Sequence, residues 1–253
     1  MTKQKESTNK HVLLTGASRG IGGAIARKLL DEGYQVTGLS RSRPFPDSFR
    51  NHEHFTGIHA DLGDLTSLEK RLKPVLFDTR NPVEVLVNNA GIIPEHSFLL
   101  DDETGMEIFE RTLTVNLRAP VLLSKWSLNF WQANKIRGIL INISSRAAYR
   151  GETESFAGYA ASKSGLVGFT KTAARAFGKD GICAYTIAPG FVDTDMARES
   201  AETYGMEYLT KDSALGEMAP PEEVAQLIAN LASGNLRHMT GATLHINSGS
   251  YLI

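Results

Sequence analysis

His11-Val12-Leu13-Leu14-Thr15-Gly16-Ala17-Ser18-Arg19-Gly20-Ile21-Gly22 is the stretch whose reading decides the fold. It begins as a short apolar run with strand character and becomes a glycine-rich turn that opens directly onto a helical pattern. Glycines let backbone approach a pyrophosphate closely, and the free N–H groups at the head of the following helix point at it. The spacing, G-x-x-x-G-x-G, differs from the G-x-G-x-x-G of other dinucleotide folds. A merely structural tight turn would use the same residues. The rest of the chain must decide between the two.

Working outward, β-rich apolar runs begin at His11, Gln35, Phe55, Val83, Gly138, Ile182 and Thr243. Helical stretches at 20–32, 65–77, 103–133, 156–177 and 222–233 separate most of them. Strands alternating with helices signify βαβ units and a parallel sheet. The expected class is therefore α/β: a doubly wound, seven-stranded parallel sheet with helices on both faces, binding its ligand at the carboxyl ends of the strands. Residues 1–10 are expected to be a disordered polar tail, and 11–253 one domain. Two irregular stretches stand out: 41–54, rich in Pro, Asp, Ser and Asn, and 190–219, long enough to be a substrate lid.

The chain has 253 residues, 42% of them apolar, and a formal net charge of -1, which suits one filled core and gives no bulk attraction to nucleic acid or anionic membrane. Its one cysteine, Cys183, lies in an apolar run and reads as a buried structural thiol. The first ten residues lack an apolar leader core, and nowhere do roughly eighteen apolar residues run together. A cytoplasmic, membrane-free protein is the expectation, and no residue is assigned to a metal.

The second strand bears on the dinucleotide. An NAD site offers an acid roughly 20 residues after the glycines for the ribose 2′-hydroxyl, whereas an NADP site supplies guanidinium for the 2′-phosphate. Here the strand ends in Ser40, Arg41, Ser42 and Arg43, with no carboxylate, and Arg19 lies in the glycine turn. The pattern points to NADP(H), with Arg41 and Arg43 as solvated loop charges the alternative. Asp61-Leu62 follows the third strand, where the acid would hold an adenine amino group or cap the next helix. Asn88-Asn89-Ala90-Gly91 follows the fourth, as a plain turn or a wall for adenosine.

Within 103–133, Pro120 stands four residues after Asn116. Proline has no N–H, so the Asn116 carbonyl would lose its helical partner and be free to hold a water, with a kink at this point. Ser144-Ser145 ends the fifth strand, and Tyr159 and Lys163 lie fourteen and eighteen residues beyond Ser145. A phenol and an ammonium four apart share a helix face, where the cation favours the phenolate.

These motifs, T-G-A-S-R-G-I-G, D-L, N-N-A-G, Asn116, Ser145, Y-A-A-S-K and Pro189-Gly190, occur in the order of the short-chain dehydrogenase/reductase family, which the chain resembles from about His11 to its end. The resemblance implies a single Rossmann domain, usually in a homotetramer. It further implies that Ser145 positions the substrate carbonyl and Tyr159 exchanges the proton. Lys163 would hold the nicotinamide ribose and lower the tyrosine pKa, and Asn116 would anchor a relay water. Gly16, Ser18, Arg19, Gly20, Ile21, Gly22, Ser40, Arg41, Asp61, Leu62, Asn89, Ala90, Gly91, Pro189, Gly190, Val192 and Thr194 would join Tyr159 and Lys163 at the cofactor. The Ser145–Tyr159 spacing is one longer than common in the family, and a shifted register would make Ser144 the catalytic hydroxyl. Segments 188–196 and 239–247 look like those of bacterial 3-oxoacyl-(acyl-carrier-protein) reductases, enzymes of fatty-acid biosynthesis that use NADPH. The substrate implied is a ketone or alcohol, with a 3-oxoacyl thioester on acyl carrier protein foremost. An alcohol or sugar dehydrogenase, a small-ketone reductase, and an inactive NADPH-binding regulator are the alternatives.

Overall fold

The structure, a computed structural model, describes residues 10–252, so the expected tail lies almost wholly outside the described residues. Seven parallel strands form one sheet: β1 (His11–Thr15), β2 (Gln35–Ser40), β3 (Phe55–His59), β4 (Val83–Asn88), β5 (Ile139–Ile143), β6 (Cys183–Pro189) and β7 (Thr243–Ile246). Their order is β3-β2-β1-β4-β5-β6-β7. The chain therefore winds outward from β1 through β2 to β3, returns to place β4 on the other side of β1, and winds outward again. That reversal leaves a crevice at the carboxyl ends of β1 and β4.

The helices are α1 (Gly20–Asp31), α2 (Asp47–Arg50), α3 (Leu65–Leu76), α4 (Asp102–Leu113), α5 (Ala119–Ala133), α6 (Ala147–Arg150), α7 (Ala157–Phe177), α8 (Asp195–Tyr204), α9 (Met206–Thr210) and α10 (Pro221–Ala232). Alternation along the strands sends Val12, Leu14, Val85 and Val87 to the face covered by Ile25 and Leu29 of α1 and Ile228 of α10. Leu13, Leu86 and Leu140 point to the other, against Leu68 and Leu72 of α3, Leu123 of α5 and Ala173 of α7. Both faces are covered, so the central strands read as continuous apolar runs.

Three local features depart from regular winding. Pro44 and Pro46 prevent a full helix after β2, and only the single turn α2 forms. Phe45 covers edge strand β3 instead, its ring lying 2.6 Å from where a Cβ at Gly57 would stand. The expected continuous helix over 103–133 is divided: Thr114–Arg118 is a π turn between α4 and α5, so the interruption at Pro120 takes this form. Segment 190–219 folds into α8 and α9, tied at its base by a parallel bridge between Val192 and Ala219.

Candidate active site

The glycine turn bends because Gly16 and Gly20 take φ of +73° and +53°, a region that strains side-chain-bearing residues. Gly22 is required for space: a Cβ there would stand 2.0 Å from the Gly16 carbonyl oxygen. The turn after β4 is laced to it. Thr15 Oγ1 accepts from the N–H groups of Asn89 and Ala90 at 3.0 and 3.1 Å, and Asn89 Nδ2 donates to the Thr15 carbonyl at 3.0 Å. The result is a cleft of about 580 Å³ across the strand ends.

Nearly every residue singled out in the sequence lines this cleft. Gly16, Ser18, Arg19, Gly20, Ile21 and Gly22 come from the turn after β1, Ser40 and Arg41 from the end of β2, Asp61 and Leu62 from after β3. Asn89, Ala90 and Gly91 follow β4, Ser145 follows β5, and Pro189, Gly190, Val192 and Thr194 come from β6 and just beyond. Tyr159 and Lys163 reach in from α7. Asn116 stands behind the lining: its buried side chain accepts from the Ile92 N–H and donates to the Ile92 carbonyl, both at 2.8 Å. It therefore braces the turn bearing Gly91, where a Cβ would press to 3.4 Å from Lys163 Nζ. Asp61 does not cap α3: its Oδ1 accepts from Gly63, and Asp64 takes the cap by accepting from Ser67.

The structure separates the two serines. The buried Ser144 hydroxyl donates to the Lys163 carbonyl at 2.9 Å and is thereby committed. Ser145 Oγ accepts from the Ala147 N–H at 3.1 Å and lines the cleft together with Tyr159. Lys163 Nζ, buried, donates to the Ile143 carbonyl at 2.8 Å and lies 5.7 Å from the centre of the Tyr159 ring. Desolvation brings its pKa down from 10.5 to about 8.

On the Tyr159 phenol, burial outweighs any influence of Lys163. Burial pushes the Tyr159 phenol up; the hydrogen bond with Ser145 opposes this, and the Glu152 carboxylate adds to it. The ammonium is turned to a backbone carbonyl and is itself weakened by the burial that disfavours the phenolate.

At the β2 end, Arg43 Nη1 lies 3.2 Å from Asp195, and Arg19 Nη1 lies 3.7 Å from the same carboxylate and 3.6 Å from Glu199. Arg43 and Asp195 also line the cleft. Asp195 was not legible as a site residue because 152 positions separate it from Arg43, and only the return of α8 over the strand ends brings them together. Arg146, Glu152 and Phe191 are further lining residues that no sequence motif marked. The backbone-sized cradle at Gly22 and Gly91, with guanidinium groups at one end and Tyr159 and Lys163 at the other, fits an extended dinucleotide. Among the described residues, no cluster of three or more His, Cys, Asp or Glu could hold a metal, and no helix is long and apolar enough to cross a membrane.

A doubly wound sheet with a glycine cradle at its switch point and Ser, Tyr and Lys side chains converging on it defines a Rossmann-type oxidoreductase. A family model described as short chain dehydrogenase matches residues 10–205, and the chain belongs to that family. It is 36% identical over 247 residues to the 3-oxoacyl-(acyl-carrier-protein) reductase FabG of Vibrio cholerae, covering 96% of this chain and 98% of the relative. The reductase of the same name from Escherichia coli is 34% identical over the same share of each. Among solved structures, 4-hydroxyisoleucine dehydrogenase complexed with NADH superposes with a TM-score of 0.87 at 28% identity, covering 96% of this chain and 98% of that one. A structure described as ElxO with NADP bound gives a TM-score of 0.85 at 26% identity, covering 96% and 99%.

Proposed function

We propose that the chain is an NADPH-dependent ketone reductase that converts a 3-oxoacyl thioester, carried on acyl carrier protein, to the 3-hydroxyacyl product. The observation that carries this reading is the convergence of Ser145, Tyr159 and Lys163 on the glycine-lined cleft. A bound nicotinamide supplies hydride from its C4; placement and charge stabilisation are the protein's part. Ser145 Oγ accepts from Ala147 and turns its own proton to the substrate carbonyl oxygen when substrate binds. Tyr159 delivers the proton, and its raised pKa keeps it in the donor form that reduction needs. Lys163 holds the nicotinamide ribose, and Asn116 keeps the Gly91 turn clear for it while its carbonyl anchors a relay water.

Arg19 and Arg41, with Arg43 added, support the preference for NADPH, since Ser40 stands where an NAD site would carry an acid. The remaining cofactor contacts are those named along the cleft, and residues 11–253 act as one domain with 190–219 as the lid. The similarity to the bacterial reductases supports the thioester on acyl carrier protein, and a cytoplasmic place in fatty-acid biosynthesis and a homotetramer are proposed with it. Exposed Phe98, Leu99 and Met106, in and just before α4, are consistent with a subunit interface there.

The structural likeness to 4-hydroxyisoleucine dehydrogenase with NADH favours a second reading, a small alcohol or ketone handled with the same residues. A panel comparing acetoacetyl thioesters with simple ketones, sugars and hydroxy acids, each with NADPH and NADH, separates them. The first reading expects the thioester and NADPH to give the highest kcat/KM. Better turnover with NADH, or of a small alcohol, overturns it in favour of the second.

A further inference from the structure

Arg146 follows Ser145 directly, and its backbone N–H donates to the Pro189 carbonyl at 2.9 Å, fixing the chain between β5 and β6 at the mouth of the cleft. The residue is only 4% exposed, yet it lines the cleft. Its guanidinium lies over the face of Phe191, 4.5 Å from the ring centre. Two carboxylates reach it with their fields, Glu152 and Asp212, but both are engaged by Arg150, at 3.1 and 3.5 Å. Among the described residues, the Arg146 guanidinium has no ion pair and no hydrogen-bond acceptor.

A guanidinium carries five N–H donors in a fixed fork, and an aromatic face answers its charge but none of those donors. With no protein acceptor, those donors are left to the water of the cleft that Arg146 lines. An arriving anion would replace that water, and a planar carboxylate matches the fork with two parallel hydrogen bonds. The position beside Ser145 sets where that carboxylate must sit. We propose that Arg146 is the specificity-determining residue of this site and binds a carboxylate that the substrate carries a few bonds from its reacting carbonyl. The inference rests on the reading of the cleft as a carbonyl-reducing site and narrows its substrate: an oxo acid, or an acyl chain ending in a carboxylate. The competing account is that Arg146 only balances Glu152 and Asp212.

The test compares 4-oxopentanoate with its methyl ester as ketone substrates with NADPH, in the wild type, Arg146→Met and Arg146→Lys. The wild type should prefer the acid in kcat/KM by about tenfold or more, as a charge-assisted pair predicts. Arg146→Met should bring the acid-to-ester ratio close to one, and Arg146→Lys should restore part of it. A wild type that prefers the ester overturns the proposal, and so does a Met variant that slows acid and ester by one common factor. Should the Met variant fail to fold, the wild-type and Lys ratios, with the loss of acid preference at high salt, still decide. If the wild type reduces neither ketone, the reductase reading is judged by the thioester panel alone. Calorimetric titration of 4-oxopentanoate into the NADP-loaded protein then judges Arg146 separately. Binding seen in the wild type and lost in Arg146→Met upholds the proposal, and equal or absent binding in both overturns it.

Discussion

Lys163 holds an ammonium almost out of water, with the Ile143 carbonyl as its hydrogen-bond acceptor, and that placement has a thermodynamic consequence. Its pKa falls from 10.5 to about 8, so between those values the unfolded chain binds a proton that the folded protein has released. Stability therefore rises with pH through that window, and the full burial penalty, about 3 kcal/mol, is present below it. In cofactor-free protein, Lys163→Met should be more stable than wild type at pH 7 by roughly 1–3 kcal/mol, because an apolar side chain of similar length replaces a buried charge. Denaturant unfolding between pH 7 and 10 should show the advantage shrinking as pH rises. A variant less stable at every pH by a constant amount would contradict this account. The pair Tyr159 and Lys163 was legible from spacing alone; the direction of the tyrosine shift was not, because it depends on how the surrounding protein excludes water. Arg146 was equally hidden, since a buried guanidinium and a surface one look alike in a sequence.

At the scale of elements, the central strands were readable, to within a residue at the starts of β5 and β6, because both faces of the sheet are covered there and the runs are nearly uninterrupted. What failed was continuity: 103–133 has one helical period throughout, but the π turn at Thr114–Arg118 divides it. A five-residue change of hydrogen-bond ladder leaves no mark on the apolar pattern that a proline kink would not also leave. The junction before β5 offers a packing test. A Cβ at Gly138 would stand 2.1 Å from the Trp131 ring, whose Nε1 donates to the Val83 carbonyl at 2.6 Å. Gly138→Ala should therefore cost about 1–3 kcal/mol through overpacking, read as a lowered Tm. An unchanged Tm would show that the Trp131 contact yields freely. The first residue of α8 gives a second test. Asp195 occupies Arg19 and Arg43, the groups proposed for the 2′-phosphate, and so competes with that phosphate. Asp195→Asn should tighten NADPH binding about two- to fivefold at low salt while leaving NADH unchanged, since the pairs are exposed. Equal shifts for both dinucleotides in a fluorescence titration would remove Asp195 from cofactor choice.

At the scale of the whole molecule, function follows from the strand order. Residues from after β1, β2, β3, β4, β5 and β6 line one cleft only because the sheet reverses between β1 and β4. The alternation of strands and helices announced that class of sheet, and the glycine turn located its crevice. The pairings across the crevice, Arg43 with Asp195 and Asn116 with Ile92, required the folded chain. The central claim is that this cleft seats a reduced dinucleotide and that Tyr159 supplies the proton. The most direct measurement is NADPH oxidation by an acetoacetyl thioester in wild type and Tyr159→Phe, with NADPH affinity determined for both. The account predicts a loss of turnover by about 10²–10⁴ at unchanged NADPH affinity. A phenylalanine variant that reduces the ketone as fast as wild type, or a wild type that binds no NADPH, would contradict it.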